Sequence, residues 1–217
     1  MSDIFPKWTN RLPLMVIIGV LMLGSAVTAG SWYYLSNKYS DVGYMPVQPV
    51  AYSHNIHAGQ LGIDCRYCHS AVEKSWYANI PASSVCMNCH SQVLKDDPKL
   101  ALVRESYASG TPIPWIQIHK LPDYVYFNHS VHVTRGVGCA ECHGPINKMD
   151  EVYQAKPLSM TFCLDCHRNP AAKLRPLDKI TDIDWKPENQ EKQLVDGAKM
   201  VHDLKTESLQ NCSACHR

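Results

Sequence analysis

All ten cysteines of this 217-residue chain fall into five Cys-x-x-Cys pairs, and each pair is followed at once by histidine. The motifs read Cys65-Arg66-Tyr67-Cys68-His69, Cys86-Met87-Asn88-Cys89-His90, Cys139-Ala140-Glu141-Cys142-His143, Cys163-Leu164-Asp165-Cys166-His167 and Cys212-Ser213-Ala214-Cys215-His216. This is the attachment pattern of c-type haem. Two thiols at that spacing form thioether bonds to one edge of a porphyrin, and the following imidazole swings under the iron as an axial ligand. Structural zinc also uses Cys-x-x-Cys, usually two pairs per metal, but it does not require histidine after every pair. A disulfide framework fits an even cysteine count, yet leaves the five histidines unexplained.

Haem explains the composition. Only three residues are Phe, few for a core of this size. Beyond residue 35, 182 residues remain for five rings, too little protein to insulate each one. The rings must then form much of the core, close enough to pass electrons. A formal net charge of +1 excludes a nucleic-acid-binding chain, and 45% hydrophobic residues exclude a disordered tail. The expected fold is mostly α with extensive irregular coil, a multihaem domain with haems as its core, and one N-terminal transmembrane helix.

Residues 12–35 carry no charge and are long enough to cross the hydrocarbon of a bilayer. Lys7 and Arg11 precede the run, and Trp32, Tyr33 and Tyr34 close it. Basic residues favour the cytoplasmic side, so a short tail (1–11) lies inside and the rest outside. A cleaved signal with a site at Val27-Thr28-Ala29 is the alternative, but the apolar run exceeds the usual h-region. Gly24 and the small residues from Ser25 to Gly30 would let another membrane helix pack closely.

The expected organisation continues as a linker (36–53), a two-haem cluster (54–94), a connecting loop rich in proline (95–126) and a three-haem cluster (127–217). Short helices should carry the cysteine pairs, with almost no sheet. Residues 191–204 read as a helix with Leu194, Ala198 and Val201 on one side.

Six histidines lie outside the motifs: His54, His57, His119, His129, His132 and His202. An aromatic-x-His-x-x-His segment occurs twice, at Tyr52, His54, His57 and at Phe127, His129, His132. By offset, His54 belongs to the iron at Cys65, His129 to that at Cys139 and His202 to that at Cys212. Two histidines at i, i+3 diverge enough to reach different irons, so His57 and His132 cross to haems attached elsewhere. His119 is a candidate for the haem at Cys86 or Cys163. Met160 is the thioether candidate, and Met ligation would raise that haem's potential. Six imidazoles for five irons argue against an open iron, hence for relays rather than chemical reactors, with no catalytic residue in this chain.

The two segments at 52–70 and 127–143 are similar to the class III multihaem cytochromes. The anchor, the five motifs, Trp115-x-x-x-His119-Lys120-Leu121-Pro122, Tyr126-Phe127-Asn128-His129-Ser130-Val131-His132 and Met160-x-x-Cys163-Leu164-Asp165-Cys166-His167-Arg168 resemble the pentahaem cytochrome subunit of alternative complex III. That resemblance implies a quinol-oxidising complex of the bacterial inner membrane, with the haem domain periplasmic. Its implied partners are an iron–sulfur subunit, polytopic membrane subunits, a monohaem cytochrome c and a terminal oxidase. The runner-up is a membrane-anchored multihaem quinol dehydrogenase feeding nitrate or nitrite reductases; a periplasmic multihaem reductase would need an open iron.

Overall fold

The computed structural model describes residues 6–35, 41–206 and 209–216. Parts of the expected tail (1–5), linker (36–40) and three-haem region (207–208 and 217) lie outside the described residues. The chain divides into two compact units, Met1–Asp41 and Val42–Arg217.

The first unit is one helix. A 3-10 turn, Lys7–Arg11, leads into α1, Leu12–Leu35. Pro13 sits in the first turn, where its missing N–H costs nothing. The remaining Leu, Ile, Val, Met and Ala leave α1 apolar on every side, and none of its residues is buried. Its 24 residues span about 36 Å at about 1.5 Å per residue, enough to cross a bilayer. Ser25 turns its hydroxyl back onto the Leu21 carbonyl at 2.8 Å, leaving no hydroxyl hydrogen to be solvated.

The second unit strings short helices on coil. They are α2 (Cys65–Cys68), α3 (Ser83–His90), α4 (Ala101–Ser109), α5 (His129–Val133), α6 (Cys139–His143), α7 (Met160–Arg168), α8 (Gln190–Asp203) and α9 (Cys212–Cys215). A wide turn of π-type helix, Asn55–Gln60, precedes α2. Among the described residues there is no strand, only isolated antiparallel bridges Val125 to His216 and Val137 to Leu174. The mostly helical expectation therefore holds, and α2, α3, α6, α7 and α9 carry the five motifs.

The starts are written locally. Asp64, Asn128, Ser159 and Asn189 stand ahead of α2, α5, α7 and α8, and each accepts a backbone N–H two or three residues on. Such caps satisfy donors that a helix this short could not otherwise pair.

Two expectations need correction. Residues 95–126 are not simply loop: after Pro98–Leu100 the chain forms α4, which buries Val103 against Val50 and Ile113. The prolines lie outside that helix, so they delimit it instead of preventing it. Helix α8 forms as read, but its buried face is Gln193 and Gly197, while Leu194 is exposed. A Cβ at Gly197 would lie 1.9 Å from the Ala171 carbonyl, so only glycine permits this approach. Gln193 then donates to the Ala171 and Leu174 carbonyls at 2.9 and 2.7 Å.

The protein-built core is thin. Its buried hydrophobic residues are Val50, Val103, Ile113, Val133, Met149, Leu174 and Ile180, in scattered groups.

Candidate haem-ligating site

Ten of the eleven histidines are half-buried, and only His202 is exposed. Six of them are brought together in three opposed pairs. His57 faces His90 with ring centroids 6.2 Å apart, His132 faces His167 at 6.2 Å, and His129 faces His143 at 6.4 Å with the rings within 9° of parallel. The spacing has a physical meaning. Two imidazoles on opposite sides of one iron, with metal–nitrogen bonds of about 2 Å and a half-ring of about 1.1 Å on each side, place their centroids about 6.3 Å apart. The donors fit an iron held between them.

The two aromatic-x-His-x-x-His segments build these pairs in the same way. Tyr52 meets His54 edge-on at 4.8 Å and stacks on His57 at 4.5 Å. Phe127 meets His129 edge-on at 4.8 Å and stacks on His132 at 4.7 Å. His57 Nδ1 donates to the Ser53 carbonyl at 2.8 Å, and His132 Nδ1 donates to the Asn128 carbonyl at 2.7 Å, four residues back in each case. In each segment the second histidine faces the motif histidine two Cys pairs into that half of the chain, His90 or His167.

A carbonyl oxygen only accepts, so each such bond places the proton on Nδ1 and leaves the Nε2 lone pair free for a metal. His69, His90 and His129 are held likewise, by the carbonyls of Asn79 (2.6 Å), Val93 (2.9 Å) and Trp76 (2.8 Å). Burial pushes His143 down to about 3 and His54 down to about 4, and lowers His119, His129 and His132. Neutral imidazole is the ligating form. For His54 the strongest charged neighbour is His69, so the first segment also turns toward the first motif.

The remaining candidates are placed differently. His119 lies beside His143, rings edge-to-face at 4.4 Å, rather than opposite His90 or His167, which already face His57 and His132. Its Nε2 and the Nδ1 atoms of His143 and His54 are buried without a partner. The His202 ring is in solvent, 3.1 Å from Asp203 Oδ1, while the ring beside His216 is Tyr124 at 5.8 Å. Met160 opens α7 and is exposed.

All ten thiols are free, so no disulfide framework forms. Among the described residues no three His, Cys, Asp or Glu converge as a protein-only metal site requires. Cys139 donates to the Cys65 sulfur, which holds the Cys65 thiol down near 7 and pushes Cys139 up. Burial pushes Cys142 up to about 12. Helix α6 is locked from outside by Arg175, whose buried guanidinium reaches Glu141 Oε1 at 2.9 Å and the Asp182 carbonyl at 2.9 Å, under the Trp185 ring.

Sequence reasoning found the histidines but missed their holders. All five holders, Ser53, Asn128, Trp76, Asn79 and Val93, act through backbone carbonyls, so only the repeated spacing of the two histidine segments leaves a mark in the sequence.

These pairs, joined to five Cys-x-x-Cys-His motifs on a strand-free helical frame, define a protein that carries several covalent haems in one small unit. The chain belongs to the multihaem cytochrome c family. Residues 125–217 match the family of cytochrome c7 and related cytochrome c. It is also similar to the menaquinone reductase, multiheme cytochrome c subunit of Nitratidesulfovibrio vulgaris, at 30% identity over 165 residues, which cover 66% of this chain and 77% of that protein.

Proposed function

We propose that this chain is the five-haem electron-transfer subunit of a membrane complex linked to the quinone pool. The observation that carries the reading is the set of opposed imidazole pairs at 6.2 to 6.4 Å. Bound haem c supplies iron that takes up and gives back one electron. Cys65 and Cys68, Cys86 and Cys89, Cys139 and Cys142, Cys163 and Cys166, and Cys212 and Cys215 attach the rings. His69, His90, His143, His167 and His216 ligate from the motif side. His54, His57, His129 and His132 would supply the second imidazole to haems attached at the first four motifs. His119, edge-to-face with His143 at 4.4 Å, would position that ring. His202 and Met160 drop out of the ligand set because both are exposed.

Helix α1 anchors the chain in the bacterial inner membrane, with Lys7 and Arg11 cytoplasmic and the haem unit periplasmic. No carboxylate lies in Leu12–Leu35 to take or give quinol protons, so the quinone site belongs to partner subunits. In the finer reading the complex is of the alternative complex III type. Its iron–sulfur subunit and polytopic membrane subunits deliver quinol electrons, which pass to a monohaem cytochrome c or a terminal oxidase. A second reading reverses the flow, into menaquinone, and is favoured by the name of the Nitratidesulfovibrio relative.

Gentle purification from native membranes tests the proposal. Iron–sulfur and polytopic subunits should co-purify, and the complex should exchange electrons with a quinone. Quinol oxidation by added ferric cytochrome supports the first direction; menaquinone reduction by reduced cytochrome supports the second. A chain that purifies alone and reduces nitrite would overturn both.

A further inference from the structure

The five motifs are numbered by the chain, but their contacts order them differently. Second and first motifs touch through Asn88, whose side-chain amide donates to the Tyr67 hydroxyl at 3.0 Å. His57, just ahead of the first motif, faces His90 of the second. The first motif then meets the third. The Cys65 sulfur lies 4.0 Å from the Thr181 carbonyl, and both motifs grip one short segment. Cys139 N donates to the Ile180 carbonyl at 3.1 Å, and Thr181 Oγ1 donates to Asp64 at 2.8 Å. The first histidine segment is pinned just beyond the third motif as well. Asn55 N donates to the Met149 carbonyl at 3.0 Å, and a Cβ at Gly59 would lie 2.2 Å from the Asn147 carbonyl.

Third and fourth motifs share α5, in which His129 faces His143 and His132, one turn on, faces His167. The fifth is tied to residues just ahead of α5. Tyr126 N donates to the Cys215 carbonyl at 2.7 Å, and Val125 bridges to His216. The next residue, Phe127, stacks on His132. Among the described residues, no hydrogen bond or ring contact noted above joins the second motif to the third, fourth or fifth.

We infer that the five attachment sites form a single file in the order second, first, third, fourth, fifth, with the motifs at Cys86 and Cys212 as its two ends and the Ile180–Thr181 segment, gripped by the first and third motifs, as its middle crossing. This rests on the five-haem reading and adds to it a path and two termini. The chain's own order would have put the first motif at one end. A centre that gives an electron becomes ferric as its neighbour becomes ferrous, so passage along the file makes and breaks no bond and moves no proton.

A density map of the haem-loaded full chain in its native complex tests the order directly. The iron attached at Cys65 and Cys68 should lie between those at Cys86 and Cys139, and the iron at Cys163 between those at Cys139 and Cys212. An iron at Cys86 nearest to any iron but that at Cys65 overturns the inference. A second measurement uses kinetics. After pulse reduction of the full chain by less than one electron, the wild type should equilibrate in a single fast phase. In the Cys65→Ser, Cys68→Ser double variant, electrons landing at the second motif should be stranded, giving a slow phase at least about a hundredfold slower. Wild-type equilibration in a variant that keeps four haems overturns the file. Fewer than five haems on the wild-type chain by intact mass would instead overturn the proposed function, so the two failures are distinct.

Discussion

At the scale of the residue, the site is an arrangement of imidazoles whose protons are fixed by backbone carbonyls and whose planes are fixed by one aromatic ring. Phe127 touches both His129 and His132, so truncating it releases both of these proposed ligands together. Phe127→Ala should cost roughly 2 kcal/mol, below the 3–5 of a fully buried ring, and should heterogeneously broaden the electron spin resonance of two irons. Phe127→Tyr should restore both, since Tyr52 already fills the equivalent place in the other segment. Asp64 gives a prediction in pH. Hydrogen bonds from the Arg66 side chain hold its carboxyl down to about 2. A carboxyl whose folded value lies below its unfolded one of about 3.9 adds stability above that value, and loses it as pH falls through about 2. Asp64→Asn should therefore flatten the acid limb of a stability profile between about pH 4 and 2. Because the carboxyl is largely exposed, water screens the ion pair. Most of the loss at neutral pH should come from the cap and the Thr181 bond, about 1 kcal/mol by chemical denaturation.

At the scale of the element, the fold is assembled from turns too short to stand alone, held by contacts between segments distant in the chain. Arg175 holds α6 in this way. Its side chain is 4% exposed and its partner Glu141 27% exposed, so removing the cation leaves a largely desolvated carboxylate. Arg175→Met should cost about 3–5 kcal/mol, offset in part by Lys173 at 3.6 Å from Glu141, and thermal unfolding followed at the haem absorption would read it. Gly197→Ala should cost about 1–3 kcal/mol by forcing α8 off the Pro170–Ala172 turn. Helix α8 was legible because its cap Asn189 and its length are local properties. Its buried face was not, because a glycine and a glutamine read as polar or neutral in any apolar pattern. The same limit hid α4, since proline at 98, 112 and 114 marks where a helix stops, not whether one lies between. That the second histidine of each segment turns away from the first was legible from their i, i+3 spacing, and the rings of His57 and His132 do face His90 and His167. That His119 would come to rest beside His143 could not be read, because no periodicity links residues brought together by a coil.

At the scale of the whole molecule, the chain exposes more surface than its mass should. The accessible area is 15304 Å², against about 10,000 Å² for a compact protein of this size. The apolar helix α1, none of whose residues is buried, contributes part of that excess. The five attachment motifs were legible from sequence alone. Which of them lie side by side was not, because that depends on the Ile180–Thr181 segment that the first and third both grip, a choice made by tertiary contact. If planar groups attached at Cys65, Cys86, Cys139, Cys163 and Cys212 complete the interior, folding must wait for attachment. The same chain made where thioether attachment does not occur should then fail to form a cooperative fold. It should keep part of its helix signal by circular dichroism, lose fixed aromatic signals and be digested by low protease within minutes, as compact states without fixed packing are. The attached form should resist the same protease by at least about a hundredfold, because cleavage of a folded chain needs an opened state that is rarely populated. Equal resistance of the two forms would show that Val50, Val103, Ile113 and the other buried residues suffice as a core, and that the rings ride on the fold without building it.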